Sequence, residues 1–152
     1  EVAVFYSDYK NFIERTTTGQ FMNPANPAIV QYENIAKATI KGIELSNQLS
    51  WDSFMPVSGF SSRLAAAYTE GEDGNNNPLN SVNPWNVMAG INYDSDHNWG
   101  TSLNLNYTAA KRRSDINGDD ILPLSSAMVV DMTAYYKPLK DLTLRAGLFN
   151  VA

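Results

Sequence analysis

The amino-acid sequence predicts an all-β chain that forms part of an antiparallel transmembrane β-barrel. Three observations predict this class. Apolar and polar residues alternate with a period of two in six or seven stretches, the connections alternate between short and long, and aromatic residues gather at the strand ends. No stretch has the sustained spacing of three and four residues that an amphipathic helix requires.

The alternation predicts seven strands. The clearest starts at Trp99, where Leu103 and Leu105 fall on one face while Ser102 and Asn104 fall on the other. Each strand therefore has an apolar face and a polar face, as expected where lipid lies on one side of a barrel wall. The predicted strands are residues 2–13, 29–51, 60–69, 85–93, 99–110, 127–136 and 142–151.

The connections between these strands differ in length in a regular way. Short turns are predicted at 52–59, 94–98 and 137–141, and long polar connections at 15–27, 71–84 and 111–124. Outer-membrane barrels have short periplasmic turns and long extracellular loops, whereas a water-soluble up-and-down barrel needs no such asymmetry. Seven strands do not close a barrel of useful bore, so we expect further strands outside these 152 residues. We assign residues 1–152 as a whole to the barrel domain.

Aromatic residues fall at two heights on these strands. Amphipathic rings prefer the headgroup level of a membrane, so two levels predict two girdles. The alternative is a soluble β-sandwich binding or adhesion module in which the rings cap a core. The predicted girdle residues are Trp51, Phe60, Tyr93, Trp99 and Tyr136 at the short-turn ends, and Tyr68, Trp85 and Tyr107 at the other ends.

The same alternation assigns side chains to lipid. A charge on the other face, such as Glu44, Asp131 or Arg145, would meet water in the lumen rather than hydrocarbon. The residues predicted to face lipid are Val87, Ile91, Leu103, Leu105, Tyr107, Leu142, Leu144 and Leu148.

Composition excludes several function classes. The chain has no Cys, so it has no disulfide, thiolate metal site or cysteine nucleophile. Its net charge of −5 and lack of a basic run argue against nucleic-acid binding. No run approaches the ~20 apolar residues of a spanning helix. No spacing typical of a catalytic or metal site occurs, so we expect neither an enzyme nor a metal site.

Few residues are candidates for ligand binding. Lys111, Arg112 and Arg113 open a predicted extracellular loop, where they would attract an anionic ligand or lipopolysaccharide phosphates, or would serve only as a solvated loop base. The single histidine, His97, lies in a short turn without a companion ligand. Residues 115–120 lack the turn glycine of a calcium loop.

Several segments resemble the C-terminal part of TonB-dependent outer-membrane receptors. Residues 34–45, NIAKATIKGIEL, are similar to a long strand of that family with the pattern N-x-x-x-A-x-I-x-G-x-E. Further segments resemble its haem and haemoprotein branch: LNSVNPW at 79–85, GINY at 90–93, VDMTAYYKP at 130–138 and LTLRAGLFNV at 142–151.

The resemblance implies a 22-stranded barrel filled by a plug that lies outside this sequence, with the last strand here being the twenty-first. It implies a receptor of the bacterial outer membrane that binds haem, or a haemophore or haemoglobin carrying it, and imports haem with energy delivered through TonB and the plug. No cofactor is expected to bind this segment, since the family's axial haem ligands lie elsewhere. A ferric-siderophore or cobalamin receptor is the alternative within the family.

Overall fold

The computed structural model describes residues 1–17, 30–83, 85–118 and 121–151. These residues form one seven-stranded antiparallel sheet in which each strand pairs with the next along the chain. A 3-10 turn, Arg113–Asp115, lies between the fifth and sixth strands. The strands are β1 Val2–Thr17, β2 Val30–Ser50, β3 Phe60–Asp73, β4 Trp85–Ser95, β5 Trp99–Thr108, β6 Ala127–Leu139 and β7 Leu142–Leu148.

The seven predicted strands and their order are confirmed. Six strand starts agree with the alternation, and position 29, the predicted start of β2, lies outside the described residues. The main difference is length: β1 continues to Thr17 and β3 to Asp73, into stretches predicted as loops. There, cross-strand pairing with β2 continues beyond the apolar pattern, as in the pair Ala38–Asp73.

The sheet is a single layer with little interior. In the described part of the chain, the buried hydrophobic residues are Ala38, Leu79 and Ile116. A β-sandwich buries the inner faces of two sheets against each other, and the strands here belong to one sheet. The sandwich alternative is therefore wrong. The sheet is open in this chain, with β1 and β7 as its edges.

None of the described helical structure is long and apolar enough to cross a membrane.

The turn between β2 and β3 is held by one carboxylate. Asp52 accepts hydrogen bonds from the Gly59 backbone N–H at 2.7 Å and from Ser50 Oγ at 2.9 Å. These bonds lower the pKa of Asp52, because they stabilise the charged form. Gly59 has φ +98°, and its carbonyl accepts the Asp94 N–H. The turn therefore connects three strands at the short-turn end.

We expect Gly59→Ala to destabilise the full-length protein by about 1–3 kcal/mol, because alanine is strained at this positive φ. A Cβ atom at position 59 would also overlap the backbone of Asp94. The change would be measured as a lower urea midpoint for protein refolded in lipid vesicles. Ser58→Ala, an exposed change in the same turn, should leave the midpoint unchanged. Equal midpoints for both variants would contradict this role for Gly59.

Asp52→Asn should lower stability at pH 7, and the loss should disappear in acid. The folded-state pKa of Asp52 lies below its usual 3.8. The stabilisation is therefore present above the unfolded-state pKa and is lost as the pH falls through the folded-state pKa. The free energy of unfolding of the wild-type protein and of Asp52→Asn, measured between pH 7 and pH 2.5, shows this loss. Asp141→Asn, which removes a charge from another short turn, controls for net charge. A difference in the free energy of unfolding that does not change with pH would contradict the role of the Asp52 carboxylate.

Candidate functional site

Cross-strand register gathers the apolar residues of neighbouring strands on one face of the sheet. Leu103 of β5 pairs with Ile91 of β4 and with Met132 of β6, and Met132 pairs in turn with Leu148 of β7. Between 45% and 60% of each of these four side chains is exposed. A contiguous exposed apolar surface of this kind marks contact with a membrane or a protein. We call it the apolar face.

All eight residues predicted to face lipid lie on the apolar face. Val87 pairs with Tyr107, and Tyr136 of the same face pairs with Leu144. The remaining members follow by alternation along β4, β5 and β7. Their contact with lipid stays a prediction.

The aromatic residues form two bands across the apolar face. In the short-turn band, the ring of Tyr93 lies 4.5 Å from Phe60 and 5.1 Å from Trp99, and Trp99 pairs with Tyr136. Trp51 follows β2 and donates from Nε1 to Ser62 Oγ at 3.0 Å. The long-loop band contains Tyr68 and Trp85, whose rings are 4.8 Å apart, and Tyr107.

The spacing of the bands suits a bilayer. Eight residues separate Trp99 from Tyr107, which corresponds to about 27 Å of strand. A tilt of about 40° reduces this to about 20 Å of height, of the same order as the ~25 Å apolar band of an outer-membrane barrel. Leu103 lies midway between the two bands.

Charged residues appear on the apolar face beyond the long-loop band. Lys41 Nζ lies 3.4 Å from Glu70 Oε2, and Thr39 Oγ1 donates to Asp8 Oδ1 at 3.0 Å. Lys41 pairs with both Tyr6 and Glu70, so these groups come directly after the last apolar row. They mark where the surface changes from apolar to water-exposed.

The polar face carries long side chains that lie flat across glycines. Arg63 of β3 passes over Gly90 of β4, and its Nη2 donates to Asn104 Oδ1 of β5 at 2.8 Å. A Cβ at position 90 would lie 3.0 Å from Arg63 Nε, so this crossing depends on the missing side chain. Phe5 covers Gly42 in the same way.

A second crossing lies near the short-turn end of the polar face. Tyr135 covers Gly100, and its Oη donates to the carboxylate of Asp94. Lys137 Nζ lies 5.1 Å and Arg145 Cζ 5.9 Å from the centroid of the Tyr135 ring, so two cations flank this ring. Hydroxyl, amide and charged groups therefore line the side of the sheet opposite the apolar face.

Two long connections pack together at the other end of the sheet. Lys111 is 5% exposed, and its Nζ donates to the carbonyl oxygens of Asn80 at 2.6 Å and Val82 at 2.7 Å. Burial lowers the pKa of Lys111, and the carboxylates of Glu14 and Asp115 act in the opposite direction. Lys111 therefore fastens the connection after β5 to the connection after β3.

Further bonds hold the same two connections. Asn80 donates from Nδ2 to the Asn117 carbonyl at 2.8 Å and accepts the Asn117 N–H at 2.9 Å. Glu14 of β1 accepts from Ser81 Oγ at 2.8 Å. Residues 74–83 and 109–118, together with Glu14, form one hydrogen-bonded unit, which we call the loop cluster.

The three predicted ligand-binding residues have different surroundings. Lys111 is buried, contrary to the expectation of a solvated or ligand-exposed side chain. Arg113 donates to the carbonyls of Gly118 and Ile121 within its own loop. Arg112 is exposed, and its N–H donates to Asp115. Ligand contact by these residues stays a prediction.

The other candidate positions show no metal-binding arrangement in the described ranges. His97 is exposed in its turn, with Nδ1 3.4 Å from Ser95 Oγ. Positions 119 and 120 of the calcium-like segment lie outside the described residues. Within those residues, no group of three His, Cys, Asp or Glu side chains could hold a metal ion.

Sequence reasoning missed the loop cluster and the crossings, in which a long side chain of the polar face passes over a glycine of the neighbouring strand. The partners of Lys111 lie about thirty residues away and are mostly backbone carbonyls, which no motif reveals. The crossings had a signal, since glycine inside a regular strand marks a close approach of other groups. Gly42, Gly90 and Gly100 all fall on polar-face positions of alternating strands.

Comparison with known proteins identifies the family. The profile described as "TonB dependent receptor-like, beta-barrel" matches residues 1–151. The chain belongs to this family. In TonB-dependent receptor barrels, as in other transmembrane barrels, the apolar surface is the outer one and the polar surface faces the lumen.

Curated relatives match almost the whole chain. It is 30% identical to hemoglobin-haptoglobin utilization protein B of Neisseria meningitidis serogroup A, across 97% of this chain and 22% of that protein. It is 27% identical to hemoglobin and hemoglobin-haptoglobin-binding protein A of Haemophilus influenzae, across 98% of this chain and 16% of that protein. The chain therefore spans about a fifth of the length of these receptors.

Solved structures share the fold. The copper transporter OprC superimposes with a TM-score of 0.76 at 17% identity, covering 99% of this chain and 22% of that one. The ferric enterobactin receptor of Pseudomonas aeruginosa gives 0.68 at 20% identity, covering 98% and 22%. At these identities the comparison establishes the TonB-dependent receptor barrel fold alone.

Leu103→Arg should destabilise the full-length receptor in lipid by about 2–4 kcal/mol, because it places a charge midway between the aromatic bands. Leu105→Arg should cost less, since it is two residues from Tyr107. The loss in both variants is measured by folding each protein into lipid vesicles and comparing the gel mobility of heated and unheated samples.

Asn106→Arg is the matched control, because Asn106 is exposed on the polar face. Asn104 is less suitable, since its side chain already accepts the bond from Arg63. Similar losses for Leu103→Arg and Asn106→Arg would show that the two faces are assigned wrongly.

Proposed function

We propose that the protein containing this chain is a bacterial outer-membrane receptor that binds haemoglobin, or another haem-carrying protein, and imports haem. The observation that carries the proposal is the match of 97–98% of the chain to relatives named for hemoglobin and hemoglobin-haptoglobin binding or utilization. Haem is then the transported substrate, and the residues of this segment form barrel wall and loops around its path.

The arrangement of the sheet supports a place in the outer membrane. The apolar face, bounded by two aromatic bands, suits the hydrocarbon layer, and the polar face suits a lumen occupied by a plug and water. The long connections then lie outside the cell, where a protein ligand arrives. Family membership supports energy supply through TonB, which would act on the plug.

A receptor for a ferric siderophore is the other candidate in this family. Two solved neighbours are named for copper and ferric enterobactin, but they share only 17–20% of residues with this chain. The haemoglobin-related proteins share 27–30%. The proposal follows these relatives, and it assigns transport and no catalytic step to the chain.

We expect the full-length receptor to support growth of an iron-starved, haem-auxotrophic host on haemoglobin, and only when TonB is present. Purified receptor in detergent should bind immobilised haemoglobin saturably. Globin without haem distinguishes recognition of the protein from recognition of the cofactor. A Soret titration with free haem tests direct haem binding.

Binding of a ferric siderophore, with no response to haemoglobin or haem, would overturn the proposal. Growth on haemoglobin in a host without TonB would contradict the energy source. A strain that produces the receptor with Leu103→Arg serves as the assembly-deficient control, because it tests whether growth depends on an assembled barrel.

A further inference from the structure

The bonds of the loop cluster reach across three parts of the chain. Lys111 joins the connection after β5 to the carbonyls of Asn80 and Val82 in the connection after β3. The side chain of Asn80 forms two hydrogen bonds with the backbone of Asn117, and Ser81 Oγ donates a hydrogen bond to Glu14 of β1. Each link lies more than 25 residues from its partner in sequence, so none comes from local turn geometry.

The tip of the connection after β3 is also fixed by hydrogen bonds within that connection. Asp73 accepts hydrogen bonds from the backbone N–H groups of Asn75 and Asn77, at 2.8 and 2.9 Å, and from Asn77 Nδ2 at 3.0 Å. Leu79 is 3% exposed and lies over Gly71 of β3. Both the tip and the base of this connection are therefore attached to the sheet.

Lys111 is the central member of the cluster. A buried ammonium group is costly unless its donors are satisfied, and here two carbonyl oxygens accept from it. Both acceptors belong to the other connection, so separating the two connections would leave the ammonium without them. The two connections consequently hold each other in place.

We propose that Lys111 is a positioning residue that locks the two connections into one preformed docking surface for the protein part of the haem carrier. This inference rests on the proposed function and names the element that meets the partner. A surface ordered before binding avoids the entropy cost of fixing loops on association. Such a surface suits a large protein ligand, whereas a small chelate is better enclosed by loops that close around it. The exposed Asn75, Asn76 and Arg112 lie on this unit.

The test uses the full-length receptor in vesicles, with Lys111→Met, which keeps most of the aliphatic stem and removes the donors. Lys10→Met is the matched control, since it removes the same charge from an exposed position of β1 outside the loop cluster. Asn80→Ala breaks the second link independently. Hydrogen exchange, measured over residues 74–83 and 109–118, reports whether the two connections loosen together.

We expect Lys111→Met to raise exchange in both connections and to slow association with haemoglobin. The slowing should be about tenfold if the locked state falls to about a tenth of the population. Dissociation, free-haem binding and the heat-modified gel shift should remain at wild-type values, which separates positioning from general loss of structure. Asn80→Ala should act in the same direction, and Lys10→Met should leave exchange and association much less affected.

Other outcomes overturn the inference. Loosened connections with unchanged association would show that the lock does not serve docking. Equal slowing by Lys111→Met and Lys10→Met would indicate charge steering instead. If the wild-type receptor fails to bind haemoglobin, the proposed function fails and the inference falls with it. If the wild-type receptor binds haemoglobin and Lys111→Met changes neither exchange nor association, the inference is overturned while the proposed function stands.

Discussion

Backbone pairing between consecutive strands is the constraint on which the rest of this structure depends. A sheet with one layer has no second sheet to hide unpaired N–H and C=O groups, and in hydrocarbon each unpaired group costs several kcal/mol. The chain meets this demand by pairing every strand with the next, from β1 to β7. Once the register is set, the faces follow, because a shift of one residue would turn every apolar side chain to the opposite side.

The same register explains how polar groups are satisfied on the polar face of the sheet. Arg63, Gly90 and Asn104 lie in one row across three strands, so the guanidinium reaches an amide two strands away. Tyr135, Gly100 and Asp94 repeat this arrangement. In both rows the glycine removes the side chain that would block the path. Glycine weakens a strand when it is considered alone, and here it permits bonds that connect strands beyond nearest neighbours.

The strands could be predicted from sequence because their signal is local. Alternation at Trp85–Ser95 and Trp99–Thr108 identifies both strands and their faces, and the short turn between them sets the pairing. The outer parts of β1 and β3 escaped prediction because their residues are polar on both faces, as in Glu70–Asp73. Lys111 escaped for a different reason: its position depends on carbonyls from another connection, and a lysine after a strand normally indicates solvent.

The division between wall and loops also bears on how ligands are chosen. Proteins named for copper and for ferric enterobactin share this sheet with TM-scores of 0.76 and 0.68, so the wall by itself does not specify a cargo. At the long-loop end this chain adds to the wall two connections joined by Lys111 and Asn80. Because each connection supplies the polar partners of the other, a change in one alters the shape of both. In the proposed docking surface, ligand recognition would therefore depend on the pair of connections rather than on either one alone.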